Sequence, residues 1–183
     1  IFGGMPDKVK VVSNLPYNIS SPVVELLVRH RSIFSQAVLM VQREVARRFI
    51  AGPGTREYGL LSLNIGLWAR VRVLFDVRPG SFTPPPAVMS SVVSVEFDPG
   101  ITHDGLDETI FRDMTGAAFR QRRKMIRNTL VPFIDSLNGI GGGGASMLES
   151  AGIDPAARPE NLSVDDFVRL TMLAAERMHG RKR

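Results

Sequence analysis

The sequence predicts an α/β segment followed by a small all-α domain, with the boundary near residue 100. Three observations lead there. Short β-rich runs around residues 9–12, 37–41, 71–77 and 88–97 alternate with stretches of helical spacing. Beyond Asp98 the strand patterns stop, and apolar residues recur every three or four positions. The 183 residues suffice for one ordinary core, or one core with a small satellite.

Taken in order, Val9, Val11 and Val12 form a run stopped at Asn14-Leu15-Pro16-Tyr17, since proline cannot donate to a sheet ladder. Ser21-Pro22 reads as an N-cap with proline at the first helical position, opening a helix that carries Val23, Leu26 and Leu27. A second strand falls at 37–41 and a helix at 43–50, ended by Gly52-Pro53-Gly54-Thr55. Residues 60–68 have helical spacing. Val71, Val73, Phe75 and Val77 then alternate with Arg70, Arg72, Asp76 and Arg78, the pattern of a strand with one polar face. Phe82-Thr83-Pro84-Pro85-Pro86 makes a stiff, extended link to the strand at 88–97. Helices follow at 106–119 and 120–137, then a glycine-rich break at 139–144. A short helix at 147–151 ends on Gly152, and a last helix begins at a Ser163/Asp166 capping box and continues through Phe167, Leu170 and Leu173.

Composition narrows the chemistry. There is no cysteine, which excludes disulfides, thiolate metal sites and a cysteine nucleophile and fits the cytosol. Three scattered histidines (His30, His103, His179) argue against a zinc site, so no metal is expected. No apolar run approaches the roughly 20 residues of a membrane span. The net charge of +5 is mild, so an anionic partner must be met by local patches. The first residue is Ile1 rather than methionine, which suggests a fragment.

Asn14-Leu15-Pro16-Tyr17 carries the sharpest chemical signal. An exocyclic amine on a base is a poor nucleophile, because its lone pair is delocalised into the ring. Two acceptors aimed at its hydrogens favour a more tetrahedral nitrogen, and an aromatic face holds the base by stacking. Asn14 offers a side-chain carbonyl, Leu15 a main-chain carbonyl turned outward by Pro16, and Tyr17 the ring. The same four residues would also make a strand-ending turn whose tyrosine packs in the core.

The stretch Asn14 to Pro22, followed by Gln42-Arg43-Glu44-Val45-Ala46, Tyr58-Gly59, Ser81-Phe82-Thr83-Pro84-Pro85-Pro86-Ala87-Val88, Gln121-Arg122-Arg123-Lys124, Arg127-Asn128 and Pro159-Glu160-Asn161-Leu162-Ser163, resembles the ribosomal RNA adenine N6,N6-dimethyltransferase family, small-subunit type. Ala87 and Met89 depart from that pattern, where the family has Lys and Asp. The resemblance implies the C-terminal portion of a Rossmann-like methyltransferase domain at 1–99 and a helical RNA-binding domain at 100–183. It implies S-adenosylmethionine as cofactor, with Asn14 touching both cofactor and target amine. Tyr17 and Phe82 would sandwich the adenine, making Asn14, Leu15, Pro16, Tyr17 and Phe82 the catalytic set. The substrate would be two adjacent adenosines near the 3′ end of small-subunit rRNA, and the partner the small ribosomal subunit in the cytoplasm. The family's glycine-rich turn and acidic cofactor-binding residues do not precede Val9. The resemblance therefore implies that these residues alone bind the cofactor poorly, are inactive or nearly so, and expose a sheet edge prone to self-association.

Arg120, Arg122, Arg123, Lys124 and Arg127 place five cations within eight residues without an acid. At helical spacing Arg120, Arg123, Lys124 and Arg127 share one face, which suggests RNA phosphate contact. Arg43, Arg47 and Arg48 form a weaker patch, interrupted by Glu44. Three other functions remain open at this point: a non-catalytic rRNA-binding assembly module, a large-subunit rRNA adenine methyltransferase, and a methyltransferase of small molecules or protein glutamine.

Overall fold

A computed structural model describes residues 8–97, 103–137 and 142–180. The chain divides into two compact units, Ile1–Ala51 with Leu61–Thr102, and Gly52–Leu60 with His103–Arg183. Neither unit is a single stretch of chain, because Gly52–Leu60 groups with the later residues.

The first unit holds strands β1 (Val9–Asn14), β2 (Phe34–Gln42), β3 (Ala69–Val77) and β4 (Ser90–Phe97), in the spatial order β1-β2-β4-β3. β1 runs parallel to β2, and β4 is antiparallel to both β2 and β3. Helices α1 (Ser20–Arg29), α2 (Arg43–Ile50) and α3 (Leu60–Gly66) accompany the sheet. Val24, Leu27 and Val28 of α1 and Ala46 and Phe49 of α2 are buried with Leu39, Val41, Val93 and Val95 of the central strands. The helix residues pack on the side chains of those two strands and exclude water from them, whereas edge strand β1 leaves Val12 81% exposed.

Two local expectations are corrected here. Ser21-Pro22 is not the start of α1. A 3₁₀ turn, Tyr17–Ile19, leads directly into the helix, and the Ser20 hydroxyl donates to the Pro16 carbonyl at 3.2 Å. The helix therefore begins at Ser20. In β3 the expected alternation breaks, because the register shifts between Val73 and Phe75. Leu74 is the extra residue of this bulge, and Val73, Leu74 and Phe75 are all exposed.

The second unit contains α4 (Glu108–Phe119), α5 (Ile126–Ser136), α6 (Gly144–Ser150) and α7 (Val164–Gly180). Its core includes Phe111, Met114, Ile126, Leu130, Ile134, Met147, Phe167 and Leu170. Asp107 caps α4 by accepting from the amides of Thr109 and Ile110 at 2.9 and 3.0 Å. The Ser163/Asp166 box forms as expected: the Ser163 amide donates to Asp166 at 2.8 Å, and the Asp166 amide donates to Ser163 Oγ at 3.2 Å. Gly152, at φ +68°, follows α6 as the C′ residue. Of the glycine-rich break, residues 139–141 lie outside the described residues. So do the basic tail at 181–183 and the change of character at 98–102.

The helix expected over 120–137 is shorter. Residues 120–124 form turns, and α5 begins only at Ile126. No apolar side chain between Phe119 and Met125 is available to hold a helix against the core. The Ile126 amide instead donates to the Ala157 carbonyl at 2.7 Å, which fixes a new helix start. Arg120, Arg123, Lys124 and Arg127 thus do not form one helical face.

Candidate functional site

The C-terminal end of β1 brings Asn14 level with Met40 of β2, and the Leu15 amide donates to the Met40 carbonyl at 3.1 Å before the chain turns away. Leu15 is buried and anchors the turn, while Asn14 stays exposed. Pro16 adopts an extended conformation (φ −55°, ψ 135°), and its carbonyl receives the Ile19 amide at 3.1 Å. Tyr17 is half-buried, and its hydroxyl hydrogen-bonds Ser90 Oγ at 2.8 Å. Ser90 is fully buried at the start of β4, so one end of the tyrosine ring is fixed to the sheet.

Phe82 reaches the same place from the link between β3 and β4. A 3₁₀ turn, Pro79–Ser81, precedes it, and the Phe82 amide donates to the Pro79 carbonyl at 3.1 Å. The Thr83–Pro84 peptide is cis. Asn14, Leu15, Pro16, Tyr17 and Phe82, with Pro84 and Pro86, line one open cleft of about 330 Å³. All five residues singled out in the sequence therefore meet in space. The cleft offers amide and peptide oxygens as acceptors, two aromatic rings, and rigid proline walls. That volume lies at the small end of ligand pockets.

Ser90 and Arg43 were not among the residues expected at this site. The Arg43 amide donates to the Met89 carbonyl at 2.9 Å, and its guanidinium contacts Met89 Sδ at 3.1 Å and Asp76 at 3.8 Å. Ser91 donates to Asp76 at 2.6 Å. Together these bonds fasten the end of the proline-rich link beside Ser90. A serine opening a strand has no distinctive spacing, so no sequence signal marked it. The weaker cationic patch is also altered: Arg43 is held internally and Arg48 pairs with Glu44 at 2.6 Å.

The cations of the second unit divide in two. Arg122 donates to Glu160 at 2.5 Å and to the carbonyls of Thr55 and Arg56 at 3.2 and 2.9 Å, which makes it a clasp within the unit. Arg120, Arg123, Lys124 and Arg127 remain exposed. Tyr58, named in the sequence pattern, is buried and donates to the Leu162 carbonyl at 2.9 Å, with its ring edge-on to Phe119. Burial, and then the charge of Asp166, push its hydroxyl well above the ordinary tyrosine range. Among the described residues no cluster of histidine or carboxylate side chains is arranged to hold a metal ion. Nor is any described helix long and apolar enough to cross a membrane.

Comparison with known proteins adds to this geometry. The family model for ribosomal RNA adenine dimethylase matches residues 4–176. A ribosomal RNA small subunit methyltransferase A of Mesorhizobium japonicum is 46% identical over 175 residues, covering 92% of this chain and 58% of that protein. Its counterpart from Syntrophotalea carbinolica is 43% identical over 167 residues, covering 90% and 61%. The chain thus spans about three fifths of the length of these relatives. Among solved structures, a dimethyladenosine transferase from Plasmodium falciparum superposes with a TM-score of 0.76 at 27% identity, covering 94% of this chain and 68% of that one. The 23S rRNA methyltransferase ErmE shares the fold, with a TM-score of 0.63 at 19% identity over 95% of this chain and 66% of its own.

Proposed function

Because this chain belongs to the ribosomal RNA adenine dimethylase family, we propose that it forms part of an enzyme that methylates N6 of two adjacent adenosines near the 3′ end of small-subunit rRNA. The observation that carries this reading is the convergence of Asn14, Tyr17 and Phe82 on one cleft. The rings of Tyr17 and Phe82 receive an extruded adenine between them. Stacking of roughly 1–3 kcal/mol per base offsets the few kcal/mol needed to unstack the nucleotide. The Asn14 amide oxygen and the Leu15 carbonyl accept from the N6 hydrogens, which localises the nitrogen lone pair and points it at the electrophile. Ser90 holds the Tyr17 ring through its hydroxyl, so little ring freedom remains to be lost when the base arrives.

S-adenosylmethionine, when bound, supplies the methyl group from its sulfonium. The cleft's acceptors and rings fit a base. Asn14, at the strand end, is the residue of this chain that we place beside the cofactor; the other lining residues serve the base. No side chain must ionise for the chemistry, since the alkylated amine loses its proton to water. The exposed Arg120, Arg123, Lys124 and Arg127 supply phosphate contacts to the rRNA of the small ribosomal subunit, and the setting is the cytoplasm.

The test is Asn14→Ala in the full-length protein that carries this sequence, assayed by methyl incorporation into undermethylated small subunits. The expected loss is about 10²–10³-fold, the usual consequence of removing one preorganised polar group from a reacting centre. Transfer at the unaltered rate would overturn the assignment.

A further inference from the structure

The helical unit contains a cavity of about 570 Å³ that shares no lining residue with the cleft at Asn14. One wall is a face of α4, where Arg112, Gly116 and Arg120 follow at four-residue steps. The other is a face of α5 with Asn128, Pro132 and Phe133. Each wall carries a residue that weakens its own helix. Gly116 lies inside α4, where glycine is disfavoured relative to alanine, yet a Cβ at that position would meet nothing within 4 Å. Packing therefore does not require it. Pro132 lies inside α5 and has no N–H, so the Asn128 carbonyl lacks its usual intrahelical donor and is freed as an acceptor. Both residues line this hollow.

The walls carry cationic, aromatic and amide groups. Arg112 and Arg120 are exposed guanidiniums, suited to phosphate. Arg120 has no ion pair among the described residues. Arg112 lies 3.8 Å from the solvent-exposed carboxylate of its neighbour Asp113. Phe133 offers a half-buried ring, and Asn128 an exposed amide that can read a base edge. Asp113 also lines the cavity and opposes a bare anion. A ligand whose base adds its own contacts is therefore favoured over inorganic phosphate.

We propose that this cavity seats one unpaired nucleotide of an RNA strand, with its phosphate on Arg112 and Arg120 and its base against Phe133 beside Asn128. The choice of RNA rests on the family reading above; the site itself rests on the cavity. The experiment titrates the 183-residue chain with a short, labelled, unpaired RNA oligomer, followed by fluorescence anisotropy and by the NMR signal of the Asn128 side-chain amide. Adenosine monophosphate and inorganic phosphate compete in separate arms.

Gly116→Leu places a good helix former in the open hollow and is expected to keep or raise the thermal midpoint while weakening oligomer binding about tenfold. Asn128→Ala is expected to weaken binding with the fold intact, and the mononucleotide is expected to compete better than phosphate. Wild-type affinity in both variants, competition by phosphate equal to that by the mononucleotide, or no oligomer binding by the parent chain would each overturn the proposal. Failure of the methylation reading shows up elsewhere, as undiminished methyl transfer by the Asn14→Ala protein.

Discussion

In an Arg122→Ala variant three acceptors lose their donor at once: the Glu160 carboxylate and the carbonyls of Thr55 and Arg56. Hydrogen bonds to a charged group are worth about 1.5–3 kcal/mol. The side chains of Arg122 and Glu160 are 38% and 27% exposed, so water replaces part of what is lost. The expected destabilisation is about 2 kcal/mol, near thirtyfold in the folding equilibrium. Urea denaturation followed by circular dichroism should show the midpoint falling with an unchanged slope. Amide exchange at Gly54, which donates to the Glu160 carbonyl at 2.7 Å, should accelerate. Arg122→Lys keeps the charge but not the planar fork, and should recover less than half of the loss. Under conditions where every variant is folded, Arg122→Ala should leave the salt dependence of RNA binding unchanged. Arg123→Ala and Lys124→Ala should each lower its slope by about 0.7–0.9. An Arg122→Ala protein of wild-type stability whose salt slope falls like that of Arg123→Ala would refute the clasp.

Three further outcomes are expected. Tyr17→Phe and Ser90→Ala each remove the same hydrogen bond, so each should cost about 1 kcal/mol. The double variant should cost no more than the worse single, and strict additivity in urea unfolding would show that the two residues are not coupled. Burial resists ionisation of Asp166, but donation from Ser163 and Arg169 outweighs it and holds the carboxyl below its ordinary 3.8. Stability from this group is complete above that value and is lost as pH falls through the lower, folded-state value; thermal melts of Asp166→Asn should show a flatter acid limb. Tyr58 has the opposite sense. The unfolded chain releases its proton near the ordinary value of 10.0 while the folded chain retains it, so stability falls as pH rises past about 10. Tyr58→Phe should remove that alkaline dependence, and an unchanged alkaline limb would contradict the burial effect.

The residues of the cleft were legible because their chemistry is uncommon and local. A proline that ends a strand, flanked by an amide and an aromatic, restricts the backbone and supplies acceptors within four positions, whatever lies around it. Phe82 stood out because the following prolines leave the chain few conformations. The capping box at Ser163 and the stop at Gly152 were legible for the same reason, since both are satisfied by near neighbours in the chain. Ser90 was not, because its importance comes from a partner at Tyr17 that only sheet pairing brings close. The start of α1 was misplaced by a serine bond to a carbonyl four residues back.

Local sequence determined the α/β-then-helical order, the turn that presents Asn14, and the rigid loop that carries Phe82. Each depends on torsional limits and on hydrogen bonds between residues close in the chain. Tertiary structure alone decided which cations are free. Arg122 and Arg123 are chemically identical and adjacent, yet one is spent on Glu160 and two carbonyls while the other faces water. The difference arises because a charged side chain takes its role from the acceptors that folding brings within about 3 Å, and those acceptors lie in segments far from it in the sequence.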